Sequence, residues 1–221
     1  MNPCPARWTK TDGGRKPVGG ARALRWSLSL LAAVALPAAG VVVDVQLKAQ
    51  DGAPAKDAAV YAVTKAAAPA RARREVLIEQ IGKQFVPQVS IVQTGTSVNF
   101  PNRDPIRHHV YSFSPAKNFE IKLYSGVPAN PVVFDKPGEV VLGCNIHDHM
   151  IAWVLVVDSP YFAKTDAAGV ARLDLPAGDY DVHAWFPGAT KQVPPRKLSV
   201  GAQAPGVLTF SATSRYGPPG K

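Results

Sequence analysis

Cys144, His147 and Met150 stand in a Cys-x₂-His-x₂-Met arrangement inside Gly143-Cys-Asn-Ile-His-Asp-His-Met150. A thiol, an imidazole and a thioether so close together are soft or borderline metal donors. Apolar runs flank them, Glu139-Val-Val-Leu-Gly143 before and Ile151-Ala-Trp-Val-Leu-Val-Val157 after. Strand, short loop, strand can deliver three donors to one point. A thiolate and two imidazoles in a plane, with a thioether at longer range, form the donor set of a mononuclear copper centre. The second imidazole has a source upstream, in Phe100-Pro-Asn-Arg-Asp-Pro-Ile-Arg-His-His-Val110.

That source offers two neighbours, His108 and His109. On a strand, adjacent side chains point to opposite faces, so only one of them can face the metal. His149, beside Asp148 at the loop tip, reads either as a solvated histidine or as an additional ligand that alters the colour of the site. Other chemistries find less support. Gly143 and Asn145 flank Cys144, where a blue site that feeds a second catalytic centre needs flanking histidines. A binuclear purple site needs two cysteines, and the exported chain would keep one. A structural zinc site needs four Cys/His ligands without methionine, and no nucleophile elbow supports a hydrolase. The residues therefore argue against an enzyme.

The cysteine count sharpens the reading. The 221 residues hold two Cys and two Met. Arg22 and Arg25 precede an apolar stretch from Trp26 to Leu36 that ends in Pro37-Ala-Ala-Gly40, the pattern of a cleaved export signal over residues 1–40. The stretch is too short to span a bilayer, and no later segment is long enough for an integral membrane span. Cleavage removes Cys4 and Met1, so the exported chain keeps one Cys and one Met, both in the cluster. A lone Cys in an exported protein cannot close an internal disulfide, which leaves an intermolecular partner, a free thiol or a metal ligand. Cleavage also takes six basic residues and one acidic residue from a formal charge of +9. The mild basic excess that remains gives no argument for nucleic acid. A periplasmic location is the expectation.

The elements that must position these donors read as all-β. Short β-branched or aromatic runs are broken by Gly, Pro, Asp and Asn at near-regular spacing. Val41–Gln46 and Ala58–Val63 are strand-like and separated by an Asp51-Gly52 turn. Residues 65–74, rich in Ala, Arg and Pro, read as a linker. Residues 75–158 carry eight expected strands: Val76–Gln80, Val89–Gln93, Ser97–Phe100, His109–Phe113, Phe119–Tyr124, Val132–Phe134, Glu139–Cys144 and Ile151–Asp158. These fit a small Greek-key sandwich. Residues 160–212 alternate apolar and polar, with turns at Ala168-Gly169 and Pro176-Ala-Gly-Asp179, and 213–221 read as a disordered tail.

At Phe85-Val-Pro-Gln88, at Gly95-Thr-Ser-Val-Asn-Phe-Pro-Asn-Arg-Asp104 and at His108-His-Val110, the middle block resembles the cupredoxins, of the plastocyanin and amicyanin type. The resemblance extends to small bacterial cupredoxins labelled methylamine-utilisation proteins. It covers about 75–158 and implies one type 1 copper ion held by His108, Cys144, His147 and Met150, with His109 and His149 as alternates. It also implies that His109 takes the place of an asparagine that braces the residue after the cysteine, here Asn145. Segments 41–66 and 160–212 resemble the two parts of a transthyretin-like, carboxypeptidase-regulatory-type sandwich. Neither piece alone can bury a core. The expected architecture is a Greek-key cupredoxin sandwich inserted into a second, small transthyretin-like β-sandwich. The rival arrangement lets 41–63 join the copper module's own sheet.

These readings converge on an exported one-electron carrier, with copper cycling between Cu(I) and Cu(II) and redox proteins as partners. His183, alone on its strand, reads as structural. Two rivals use the same ligands differently: a copper storage or delivery protein, and a carbohydrate or surface-binding sandwich in which copper is structural. The last would be supported by exposed aromatics such as Trp185 and Phe186.

Overall fold

The computed structural model describes residues 40–66, 75–189, 191, 193–201 and 205–212. The segment expected to be an export signal (1–40, apart from Gly40), most of the expected 65–74 linker and the expected 213–221 tail lie outside the described residues. Among the described residues no helix is long and apolar enough to cross a membrane.

The chain is all-β. The described residues open with β1 (Val41–Ala49) and β2 (Ala59–Val63). Then come β3 (Glu75–Leu77), β4 (Glu79–Ile81), β5 (Gln84–Val86), β6 (Val89–Gln93) and β7 (Thr96–Asn99). Next are β8 (His108–Ser114), β9 (Lys117–Tyr124), β10 (Val132–Phe134), β11 (Gly138–Gly143) and β12 (Ile151–Val157). The chain continues through β13 (Tyr161–Lys164), β14 (Val170–Leu175), β15 (Gly178–Trp185), β16 (Arg196–Val200) and β17 (Leu208–Ala212).

Two sheets enclose the metal-side core. One has the order β6-β12-β11-β8-β9 and the other β10-β7-β3. Between them lie Phe85, Phe100, Phe134, Val140, Leu142, Val154 and the side chains of Cys144 and Met150. Burying an aliphatic or aromatic side chain of this size contributes roughly 1.5–3 kcal/mol.

The other pair of sheets, β14-β1-β17 and β13-β2-β15-β16, encloses a separate core. The alternation in β1 sends Val43, Val45 and Leu47 inward. Ala171, Leu173 and Leu175 of β14 meet them there, as do Tyr180 and Val182 of β15. The turn before β14 is organised by Asp166, whose Oδ1 accepts from the backbone N–H groups of Ala168 (2.9 Å) and Val170 (3.0 Å). Gly169 completes that turn at φ 73° and passes so close to β1 that a Cβ there would lie 2.5 Å from the Leu47 carbonyl oxygen. Only glycine satisfies both conditions.

β12 explains why Ile151–Val157 is apolar without interruption. Ala152, Val154 and Val156 enter the metal-side core, while Trp153, Leu155 and Val157 enter a third cluster shared with Ala59 and Trp185. A strand covered on both faces has no polar side to show. Polar ties cross the same junction. Trp185 Nε1 donates to Glu139 Oε2 at 2.7 Å, and Lys164 Nζ reaches the Val89 carbonyl at 3.1 Å and Asp57 at 2.8 Å.

Several expectations are corrected. The strand expected over Val76–Gln80 breaks at Ile78, whose buried side chain and N–H bond to Asn99 separate β3 from β4. β5 was not anticipated. It is a three-residue strand closing a hairpin through Gly82 and Lys83, both at positive φ, as a tight hairpin turn requires. Cys144 lies just beyond β11 rather than inside it. Trp185 and Phe186 are not exposed aromatics: they are 6% and 3% accessible, the first against β12 and the second in the companion core.

Candidate metal centre

Three elements converge on the site. β11 ends at Gly143, which pairs across the sheet with Tyr111. The Tyr111 ring fills the space a side chain at 143 would need, since a Cβ there would sit 2.7 Å from its Cζ. Any larger residue must displace that ring, and with it the approach of the chain to Cys144. The loop from 144 to 150 is closed by backbone bonds from Met150 N–H to His147 O (2.9 Å) and from Ile151 N–H to His149 O (3.1 Å). It hands the chain directly to β12.

The loop before β8 supplies the remaining donor. Asn102 organises it: the side-chain oxygen accepts from Asp104 N–H (3.0 Å), and Nδ2 donates to the carbonyls of Ile106 (2.8 Å) and Tyr124 (3.0 Å). Asp104 Oδ2 then meets His108 Nε2 at 2.7 Å. The same carboxylate accepts the N–H groups of Gly82 (2.7 Å) and Lys83 (2.8 Å) from the β4–β5 turn.

The result brings His108, Cys144 and His147 together, with one donor atom from each lying within 4.8 Å of the others. Cys144 Sγ is 3.8 Å from His147 Nδ1. His108 is fully buried and Cys144 nearly so, while His147 is half-buried at the surface. Met150 is buried in the same core as Cys144. His109 and His149 are not in this cluster. His109 Nε2 meets Glu120 Oε1 at 2.8 Å on the other side of β8, and the exposed His149 ring stands edge-on to His147 at 6.0 Å. The expected brace between His109 and Asn145 is also absent among the described residues. Asn145 is exposed and Glu120, reached across the β8–β9 ladder, takes the imidazole instead.

The donor set fits a soft metal ion. His108 Nε2 is engaged by Asp104, whereas Nδ1 is buried with no hydrogen-bond partner among the described residues. A buried unpaired ring nitrogen is costly unless something coordinates it. Thiol, two imidazoles and a nearby thioether are the donor types copper takes.

Electrostatics support the same use. The His147 pKa is lowered, first by desolvation and then by the neighbouring His108, Lys83 and His149, against an opposing pull from Asp104. The neutral ring, with a lone pair free, is favoured. Burial alone would raise the Asp104 carboxyl. The Lys83 and Gly82 N–H groups and His108 outweigh it and hold the pKa below the usual value. Burial, with the Cys144 charge close by, pushes Tyr124 up to about 12 despite a hydrogen bond from Gln80. Tyr124 therefore keeps its proton and donates it to the Phe100 carbonyl at 2.5 Å.

Asp104 is a residue at the site whose role the sequence reading missed. The signal was present in the Asn-x-Asp turn four residues ahead of His108, but only the folded loop shows that the carboxylate turns back onto the ring. Carboxylate-to-histidine contacts of this kind fix ring orientation and raise donor strength.

No family model matches the chain, and no curated protein does. Solved structures are similar over part of it. One is a copper-containing nitrite reductase from Thermus scotoductus SA-01, at 26% identity over 42% of this chain and 25% of that one, with a TM-score of 0.36. Another is amicyanin in a reduced, singly substituted form, at 18% identity over 39% of this chain and 86% of that one, TM-score 0.35. A third is a purple cupredoxin from Nitrosopumilus maritimus, at 19% identity over 38% of this chain and 98% of that one, TM-score 0.33.

Proposed function

We propose that the chain is an exported, periplasmic type 1 copper protein that carries single electrons between redox partner proteins and catalyses no reaction of its own. The observation that carries this reading is the convergence of donor atoms from His108, Cys144 and His147, together with the buried Nδ1 of His108 that has no hydrogen-bond partner among the described residues. Copper bound there would supply a one-electron couple between Cu(I) and Cu(II).

The protein's own residues do the rest. Cys144 supplies the thiolate, His108 and His147 the two imidazoles, and Met150 the thioether. Asp104 locks the His108 ring, and the Tyr111–Gly143 contact locks the strand that leads to Cys144. Donors fixed by packing need not rearrange when charge changes, which keeps the reorganisation cost low. His147, half-buried at the surface, is the edge through which an electron reaches a partner. The strands β1, β2 and β13–β17 are read as a transthyretin-like companion, supported by their two sheets and separate core.

The test is the visible spectrum of the exported chain with Cu(II), beside Cys144→Ala. An intense thiolate-to-copper band, absent from the variant, is the expected result. Only weak d–d absorption, or rapid loss of Cu(I) to a chelator, would favour storage or delivery instead.

A further inference from the structure

Far from the donor loop, at the opposite ends of β11 and β12, the two pairs of sheets leave a cleft of about 530 Å³ between them. Its floor includes Tyr61 of β2 and His183 of β15, directly paired across the sheet. Their rings stack at 4.7 Å and are only 5° from parallel. His183 was expected to be structural, and the stack on Tyr61 gives it a structural role. The cleft shows that both rings also form a wall.

Asp158 stands at the mouth. Its Oδ1 is fixed by the Thr94 hydroxyl at 2.6 Å, and among the described residues it makes no ion pair. The rim is tied across the junction by Ser159, whose hydroxyl donates to the Ala62 carbonyl at 2.5 Å. The shape is therefore set before any ligand arrives. The remaining lining is chiefly aliphatic or proline, with no lysine or arginine. Desolvation lowers the His183 pKa, against the pull of Asp181, so the imidazole brings no fixed positive charge near neutral pH.

A mostly apolar cleft of this size at a junction between packed units has the character of a small-molecule site. Its electrostatics select the ligand's sign. A fixed carboxylate beside aromatic rings attracts a cation, and an anion would find no charged partner. We infer that the cleft walled by Tyr61 and His183 and capped by Asp158 binds a small organic cation, an ammonium group carried on an apolar body.

The probe is benzyltrimethylammonium, titrated calorimetrically into the full chain, with benzyl alcohol and benzoate as neutral and anionic comparators. Saturable binding of the cation, at least about fivefold tighter than either comparator, is expected. Asp158→Asn should weaken it at least about fivefold, and so should Tyr61→Ala. If Tyr61→Ala does not fold, His183→Leu replaces it with the same expectation. Absence of saturation, equal binding of benzoate or benzyl alcohol, or unchanged affinity in folded variants would each overturn the inference. The copper spectrum would be unaffected by either result.

Discussion

His108 and His109 are neighbours in sequence, both buried, and opposite in circumstance. Each has Nε2 against a carboxylate, Asp104 for the first and Glu120 for the second. Each has an Nδ1 with no hydrogen-bond partner among the described residues. One ring faces Cys144 and His147. The other faces Tyr111, whose ring is 5.5 Å away and leads on to an exposed Phe113 at 5.1 Å. The imidazole alone, even buried and braced, does not define a metal centre. What lies across from it does.

The comparison is broken most severely by removing one ring at a time. His108→Ala should abolish the intense copper band, because no other described imidazole stands in its place. His109→Ala should leave the band in place. Its cost should appear as stability, about 2 kcal/mol in denaturant unfolding, from the cavity left in a packed region. A lost band in the second variant would mean that the ligand assignment is reversed.

The two carboxylates sharpen the contrast. Asp104→Asn should weaken copper binding about 10- to 100-fold in a competition titration, the usual effect of losing a carboxylate behind a ligating histidine. Glu120→Gln should leave copper affinity unchanged. Asp104 should also mark the acid limb of metal-free stability. Its pKa is lower in the folded chain than the ordinary 3.8. Its contribution is therefore fully present above that value and is lost as pH falls through the lower folded value. Asp104→Asn should flatten that part of a stability-versus-pH profile.

The smallest effect is expected away from both histidines. Asp181 and Lys197 face each other across β15 and β16, and their contact at 2.8 Å lowers the acid and raises the base. The pair's contribution is present at neutral pH. It is lost in acid as Asp181 protonates and in strong base as Lys197 deprotonates. Lys197→Met should shift the melting temperature only slightly at pH 7, and the difference should vanish in acid.

Much of this was legible because strand periodicity is local. The Ile151–Val157 run and the Glu139–Gly143 run announce the strands flanking the donor loop, and the structure places β12 and β11 there. The roles of Asp104 and Glu120 were not legible, since one depends on a loop bending back and the other on cross-strand register. The burial of Trp185 was not legible, because alternation shows which residues share a face, but not whether a second sheet covers that face. β5 escaped because Phe85 is its single buried side chain, between exposed Gln84 and Val86, and Pro87 follows at once.

The pairing of β1 with β17 has a mechanical consequence. The two strands are parallel neighbours, with Val45 opposite Leu208 and Ala49 opposite Ala212. A pull applied at Val41 and at Ala212 would therefore slide one strand along the other, so that their hydrogen bonds resist together rather than opening one after another. The strands from β3 to β12 lie outside that line of force. Held taut by its first and last described strands, the molecule would leave the donor loop slack.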